Sequence, residues 1–342
     1  MRNNVPCEDY NKIINFLVTN WNENHILVKS KELLDFQHYD KVNNVYNFVV
    51  AENKETGAYD GLFGYIPLAH FDPDLAQYGD YWGAIWKRNE KTEGTEMIGV
   101  ALFLQLRHLP DLKTINGLGL SGDALRWYAA MRWPVLYMHQ YYILNRYCSD
   151  FKIAAGVKKE QFFDCSQIKD RSWRLCRVSF EDIANDIIPS IYRPFKSLKF
   201  IENRYFRHPF FKYDYLGLYK QNDIKALLVT RTIEVNDSKV LRIVDVLGEL
   251  GGYVYPDMQR ILSKEGCEYV DFLNEGIEPQ VFCNMGFSDL DYEGELVLPN
   301  YFEPFEQRNI RLAAVHTPKF ECVTFKADAD QDRPNSLKSI IK

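Results

Sequence analysis

A glycine-bearing loop that runs into a helix is the part of this sequence best suited to hold an anion. Residues Gly94-Thr95-Glu96-Met97-Ile98-Gly99-Val100-Ala101 follow the strand-like run Tyr81 to Lys87, and Met97, Ile98, Ala101, Leu102 and Leu106 then recur along one helical face. The first N–H groups of a helix find no acceptor inside it, so together with the helix dipole they favour a pyrophosphate at that end. A second stretch with chemical content is the polar terminal run Asp328-Ala329-Asp330-Gln331-Asp332-Arg333-Pro334-Asn335. Its carboxylates, amide and guanidinium offer mixed donors and acceptors to a polar ligand, with Arg333 suited to a phosphate. A divalent cation on Asp328, Asp330 and Asp332, or a plain solvated tail, are the competing readings.

The elements that must position these groups repeat. Ile13, Ile14, Leu17 and Trp21 are spaced for a helix, Val45 to Ala51 and Gly61 to Pro67 for strands, and Lys113 to Leu118 for a further strand. Asp123 to Met131 reads as a helix and Val135 to Leu144 as one strand. Residues 151–195 are mixed, with Pro189 and Pro194 ending a helical pattern from Phe180 to Ile188, and read as a connecting segment. The second half shows the same order: a strand Leu241 to Leu247, a loop Glu249-Leu250-Gly251-Gly252, a helix Tyr253 to Leu262, a strand Glu268 to Leu273, and a short helix ending at Met285. An offset of 154 residues lays Tyr269 on Ile115 and Phe287 on Trp133, which reads as an internal duplication. The expected division is 1–150, a link 151–195, and 196–342.

Composition narrows the function. The 342 residues exceed what one core carries well, and 47 acidic against 41 basic residues give a formal charge of −6. No Lys/Arg cluster supplies the footprint that nucleic-acid binding requires. Seven scattered cysteines without ligand spacing read as reduced thiols and not as a zinc site. No apolar run is long enough for a membrane span, so the expectation is a cytoplasmic protein without a metal.

Glu96-Met97-Ile98-Gly99-Val100-Ala101 resembles the Q/R-x-x-G-x-G/A acyl-CoA loop of GNAT enzymes, with Glu96 in place of the usual basic or amide residue. Tyr128-Ala129-Ala130-Met131-Arg132-Trp133 resembles the Tyr-x-x-x-Gly-Phe segment of the same family, and Phe282-Cys283-Asn284-Met285-Gly286-Phe287 is its counterpart in the second half. The resemblance implies an α/β (α+β) fold of two GNAT-like lobes, each a mixed β-sheet flanked by helices. It also implies acyl-coenzyme A on Trp86, Lys87, Gly94, Thr95, Met97 and Gly99 of the first lobe. Tyr128 would then protonate the departing thiolate; the second lobe, with Phe282 there, has lost that hydroxyl. Acyl transfer needs a neutral amine, and Asp80, which shares a strand face with Trp82, Ala84 and Trp86, is the expected base, ahead of His70, Asp72 and Asp74. A backbone N–H at the split between the third and fourth strands would hold the oxyanion, and no cysteine is asked to act as a nucleophile.

The chain is further similar to tandem-GNAT sugar N-acyltransferases of bacterial surface-polysaccharide pathways. The likeness runs through Asp35-Phe36-Gln37-His38, Gly64-Tyr65-Ile66-Pro67, Tyr141-Tyr142-Ile143-Leu144-Asn145, Pro299-Asn300-Tyr301-Phe302-Glu303-Pro304-Phe305 and the terminal acidic run. It implies a dTDP- or UDP-linked amino sugar as acceptor, on His70, His139, Tyr141, Asn145, Asn300, Tyr301, Glu303, Asp330, Asp332 and Arg333. A tandem-GNAT peptidyltransferase using aminoacyl-tRNA, which the acidic charge opposes, and a non-catalytic nucleotide-sugar binder are the alternatives.

Overall fold

The computed structural model describes residues 1–164, 172–184 and 186–337, so Cys165 lies outside the described residues. The chain forms two compact units, one of Met1–Val135, Ala314–Phe320 and Ala329–Lys342, the other of Leu136–Ala313 and Glu321–Asp328.

The first sheet is built on strands β1 (Arg2–Pro6), β2 (Tyr39–Asp40), β3 (Val45–Glu52), β4 (Tyr59–Pro67), β5 (Asp80–Arg88), β6 (Thr114–Leu118) and β7 (Val135–Tyr137). The helices of the first unit are α1 (Tyr10–Asn20), α2 (Ile26–Lys29), α3 (Lys31–His38), α4 (Ile98–Leu106) and α5 (Gly122–Ala130). The second unit holds β8 (His139–Leu144), β9 (Trp173–Val178), β10 (Asp214–Lys220), β11 (Asp223–Val235), β12 (Ser238–Gly248), β13 (Cys267–Glu275), β14 (Ser288–Asp289) and β16 (Thr324–Phe325), while β15 (Ala313–Val315) joins the first sheet. Its helices are α6 (Phe180–Ile183), α7 (Leu198–Ile201), α8 (Tyr255–Glu265) and α9 (Pro279–Met285).

In the first sheet the order is β1-β3-β4-β5-β6-β15-β7, and β5 with β6 is a parallel pair. Parallel neighbours need a crossover, and α4 supplies it. The helix lies directly on β4 because Gly61 has no side chain: a Cβ there would sit 2.5 Å from Ile98. Leu102, Phe103 and Leu106 of α4 join Phe63, Tyr65, Ile115, Tyr128 and Trp133 in one core. At the start of α5 the Ser121 hydroxyl accepts from the Ala124 amide at 3.3 Å, an N-cap that fixes where the helix begins.

The second sheet runs β14-β8-β13-β12-β11-β10-β9, with β16 also on β13. Here β12 and β13 are the parallel pair and α8 the crossover, so both units repeat one plan, as the 154-residue offset implies. Arg242 on β12 and Asp271 on β13 form a buried two-point ion pair at 2.9 and 2.5 Å, and Arg242 also donates to the Asn300 carbonyl at 3.0 Å.

Three expectations change. The run Val135 to Leu144 is two strands, because the chain turns at Met138, whose amide bonds to Leu312, and β7 and β8 belong to different sheets. Residues 151–195 are not a mere link, since β9 pairs with β10 along its whole length and closes the second sheet. The helix at Phe180 stops at Ile183. Strand β11 escaped notice because its central Ala226 to Thr230 is buried on both faces and shows no alternation.

Removing one partner of a buried ion pair strands the other, at a cost of about 3–5 kcal/mol. Asp271→Ala is therefore expected to lower the urea stability of the second unit by that order, and an unchanged midpoint would contradict the packing described.

Candidate active site

Pairing between β5 and β6 runs from Asp80 with Thr114 to Gly83 with Gly117 and then ends, although β5 continues to Arg88. A cavity of about 290 Å³ opens where the strands part, lined by Gly83, Ala84, Trp86, Gly117, Gly119 and Tyr128, with Trp21 also on its wall. A second, larger cavity of about 590 Å³ shares Trp86, Lys87, Ser121, Asp123 and Ala124 with it and adds Arg88, Gly99 and Arg126. The smaller cavity at the strand split adjoins a larger one whose wall mixes Lys87, Arg88 and Arg126 with Glu90, Glu96 and Asp123, Lys87 being paired with Glu90 at 2.8 Å and Arg126 with Asp123.

The α4 terminus meets this larger cavity. Trp86 Nε1 donates to the Gly99 carbonyl at 3.0 Å, which fastens the indole across the first turn. The Ile98 and Ala101 amides are bonded to Thr95 and Met97, whereas those of Gly99 and Val100 have no carbonyl acceptor among the described residues. Thr95 is buried and its hydroxyl lies 2.6 Å from the Asn89 carbonyl and 2.7 Å from that of Thr92, so it holds the loop together. Gly94 takes φ +79°, and Met97 is exposed at the head of the helix. Of the expected cofactor residues, Trp86, Lys87 and Gly99 line the cavities, while Gly94, Thr95 and Met97 shape the loop beside them.

Tyr128 lines the narrow cavity with its ring edge-on to Trp86 and to Phe103, each at 5.4 Å between centroids. Burial pushes its phenol pKa up, so it keeps its proton throughout the neutral range. Asp80 is placed differently from expectation. Its Oδ1 accepts from the Thr114 hydroxyl at 2.7 Å in the buried, paired part of the strands, and it lines neither cavity. With about 3.3 Å of rise per residue, it stands roughly 10 Å below the opening.

The expected acceptor residues fall in both units. In the first, His70 Nε2 donates to the Phe36 carbonyl at 2.8 Å, and Arg333 Nε donates to Asp330 at 3.2 Å. Arg333 also reaches His25 at 3.4 Å, and the ring of His25 packs on Trp21 of the cavity wall. Gln331 covers Gly119, where a Cβ would lie 2.3 Å from its amide oxygen. Burial acts to raise the Asp330 pKa, but Arg333, His38 and His25 outweigh it and hold the carboxyl below its usual range. Asp332 is buried. In the second unit, His139 pairs with Asp289 at 2.7 Å, Tyr141 stacks on Phe282 at 3.8 Å, and Tyr301 and Glu303 are on the surface or partly buried. Asn145 donates to the Cys267 carbonyl at 2.9 Å and Asn300 to that of Ile310 at 2.6 Å, so both amides are spent on backbone.

The equivalent split of the second unit is filled by the chain itself. Beyond Ile243 with Phe272, β13 pairs instead with β16, Asn274 opposite Phe325 and Glu275 opposite Thr324, and the Ala327 amide donates to Val244 at 2.9 Å. Lys196 locks this plug, bonding Asp245 at 2.5 Å and Asp328 at 2.8 Å in full burial. Asp328 is thus a structural counter-ion and not a ligand for sugar or metal; burial lifts its pKa to about 6 despite Lys196. Only residue separation hid this, since Lys196 lies far from both partners in sequence.

No family model matches the chain, and no curated protein matches it. Among solved structures it is similar to a conserved protein from Enterococcus faecalis V583 described as a probable N-acyltransferase, at 10% identity and TM-score 0.51, covering 91% of this chain and 71% of that one. The fold is GNAT-like. A GCN5-related N-acetyltransferase from Anabaena variabilis aligns at 12% identity and TM-score 0.49 over 91% and 71% of the two chains. Among the described residues of this GNAT-like chain, no helix is long and apolar enough to cross a membrane.

His25, His38 and His316 are all pushed down to about 4 by burial. Unfolding frees each imidazole to bind a proton near pH 6.5, so their contribution is complete above pH 6.5 and lost as the pH falls toward 4. Stability is expected to drop by about 1.4 kcal/mol per pH unit for each such group in that window. Denaturant midpoints at pH 7.5, 6 and 5 check this, and a flat profile would contradict it.

Proposed function

We propose that the chain is an acyl-CoA-dependent N-acyltransferase that uses only the split of its first unit, with a dTDP- or UDP-linked amino sugar as acceptor. The observation that carries this reading is the contrast between the two parallel pairs, one opening into cavities at a helix N-terminus and the other filled by β16. The free amides of Gly99 and Val100, with Arg88 on the same cavity wall, suit the diphosphate of coenzyme A, and Lys87 and Arg126 would exchange Glu90 and Asp123 for it. The opening beyond the Gly83–Gly117 pair would take the pantetheine arm and bring the thioester toward Tyr128.

In the proposed reaction the amine nitrogen attacks the thioester carbonyl and the C–S bond breaks. Tyr128 gives its proton to the leaving sulfur, and the phenolate recovers one from the acylated nitrogen. Counting from the ammonium form, one proton leaves for solvent per turnover. Asp80 acts in this scheme as a positioning residue that ties β5 to β6 beneath the opening. The sugar assignment is supported by the likeness of Gly64 to Pro67, Pro299 to Phe305 and Asp328 to Asn335 to the sugar-acylating branch, and by a polar cluster of His25, Asp330 and Arg333 beside the smaller cavity.

The test is release of free thiol from acetyl-CoA with and without dTDP- and UDP-linked amino sugars. Amine-dependent release is expected from the wild type, and none with any acceptor would favour a non-catalytic binder. Tyr128→Phe is expected to lower kcat roughly tenfold to a hundredfold with an unchanged KM for acetyl-CoA. Wild-type turnover in that variant would remove Tyr128 from the reaction. Asp80→Asn, which keeps an acceptor for Thr114, is expected to cost less than Tyr128→Phe, and a larger loss would restore Asp80 as the base.

A further inference from the structure

The face of the first sheet opposite α4 carries polar groups that packing does not explain. Trp82 and Asn116 are neighbours in the parallel pair, one residue below the Gly83–Gly117 couple, and both are buried. Asn116 Oδ1 accepts from the Thr317 amide at 2.9 Å, yet its Nδ2 has no partner, and neither has Trp82 Nε1. On the same face, by alternation along β4 from Ile66, which pairs with Trp82, lies Gly64. A Cβ at Gly64 would stand 2.6 Å from the ring of Phe48 and 3.3 Å from Cε1 of His38, so the missing side chain makes room on the sheet for the phenyl ring and for the imidazole beside it.

His38 is fully buried against Phe48, its ring 4.6 Å away. Its Nδ1 lies 3.3 Å from the Tyr65 carbonyl, an atom that can only accept, so the ring proton belongs on Nδ1. That leaves a bare lone pair on Nε2, and Nε2 has no partner. Orphaned buried polar atoms are uncommon and call for an explanation. Two of these atoms can only donate and one can only accept, and water, which needs two to four polar partners to stay buried, can satisfy either kind.

We propose that His38 is the proton acceptor for the incoming amine, reached through internal water held by Trp82 Nε1 and Asn116 Nδ2 at the base of the split. The idea rests on the acyltransferase reading and supplies its missing base. The transferred proton moves from the ammonium nitrogen to water and from water to His38 Nε2, giving an imidazolium with N–H bonds at both nitrogens. Asp330 is the carboxylate whose charge stabilises it; Arg333, His70 and His25 are the other charged or titratable groups facing this cluster. His25, partly exposed and joined to Arg333, offers the exit toward solvent. Tyr128 on one side of the split and His38 on the other then divide the acid and base work. Burial keeps the free imidazole neutral at physiological pH, its pKa pushed down to about 4, so proton uptake is uphill there and depends on the Asp330 carboxylate.

Two measurements test this. Ring 15N NMR of the wild-type protein reads the tautomer directly: Nδ1 protonated and Nε2 bare is expected, and the reverse overturns the proposal whether or not turnover is seen. For kinetics, kcat with acetyl-CoA and a UDP-linked amino sugar is followed from pH 6 to 9. His38→Gln and Asp330→Asn are expected to lose roughly 100-fold at pH 6.5, recovering toward wild type at pH 9 where the amine sheds its own proton, with KM for acetyl-CoA unmoved. An equal loss at every pH, or none, overturns the assignment; Asp330→Asn, together with the NMR result, decides the matter if the buried His38 variant does not fold. Absence of turnover in the wild type instead counts against the acyltransferase reading itself.

Discussion

Strand pairing that stops at Gly83 and Gly117 is the constraint on which the rest of the first unit depends. Both glycines are closely covered, since a Cβ would stand 3.2 Å from the Phe63 side chain at the first and 3.1 Å from those of Leu120 and Val315 at the second, so a larger residue would require these side chains to shift. Because β5 continues past the break and β6 does not, an unpaired strand edge faces the cavities, and backbone groups that would otherwise bond to a neighbour are available to a ligand. The α4 crossover then delivers its N-terminus to the same place, since a parallel connection must return over the sheet.

The second unit shows what happens when the same break is closed. Unpaired backbone is costly in a protein interior, and here β16 satisfies it while Phe325 fills the apolar space. Lys196 between Asp245 and Asp328 is a buried charge cluster whose members would each be expensive alone. Tyr205 adds a 2.5 Å bond to Asp245, so the plug is fastened from several elements of its own unit. Of two parallel pairs built on one plan, one keeps an open split and the other is closed by its own chain.

How much of this was legible in the sequence depended on the range of the interactions. The loop and helix from Gly94 to Leu106, the strands around Val45 and Gly61, and the helix bearing Tyr128 follow from local periodicity and turn residues, and all are present. Asp80 differs from expectation because the β5 bulge between the Phe63–Trp86 and Tyr65–Gly83 pairs breaks the alternation that would set it on the face of Trp86, and its partner Thr114 is 34 residues away. Asn145 and Asn300 looked like ligand-binding amides for the same reason: the carbonyls they serve, on Cys267 and Ile310, come from other elements. Asp328 to Asn335 was read as one polar unit, yet it divides, with Asp328 in the lock of the second unit and Asp330 and Arg333 in the first. His38 had a sequence signal, the Asp35-Phe36-Gln37-His38 stretch, but only the glycine facing it and its orphaned nitrogen mark it out.

The most direct test of the account is a crystal structure of the protein grown with acetyl-CoA or a non-hydrolysable analogue. One molecule per chain is expected, with its diphosphate on the Gly99 and Val100 amides, its pantetheine between β5 and β6, and its sulfur beside Tyr128. Coenzyme A seated instead against α8 with β16 displaced, or absent from both units at saturating concentration, would contradict it.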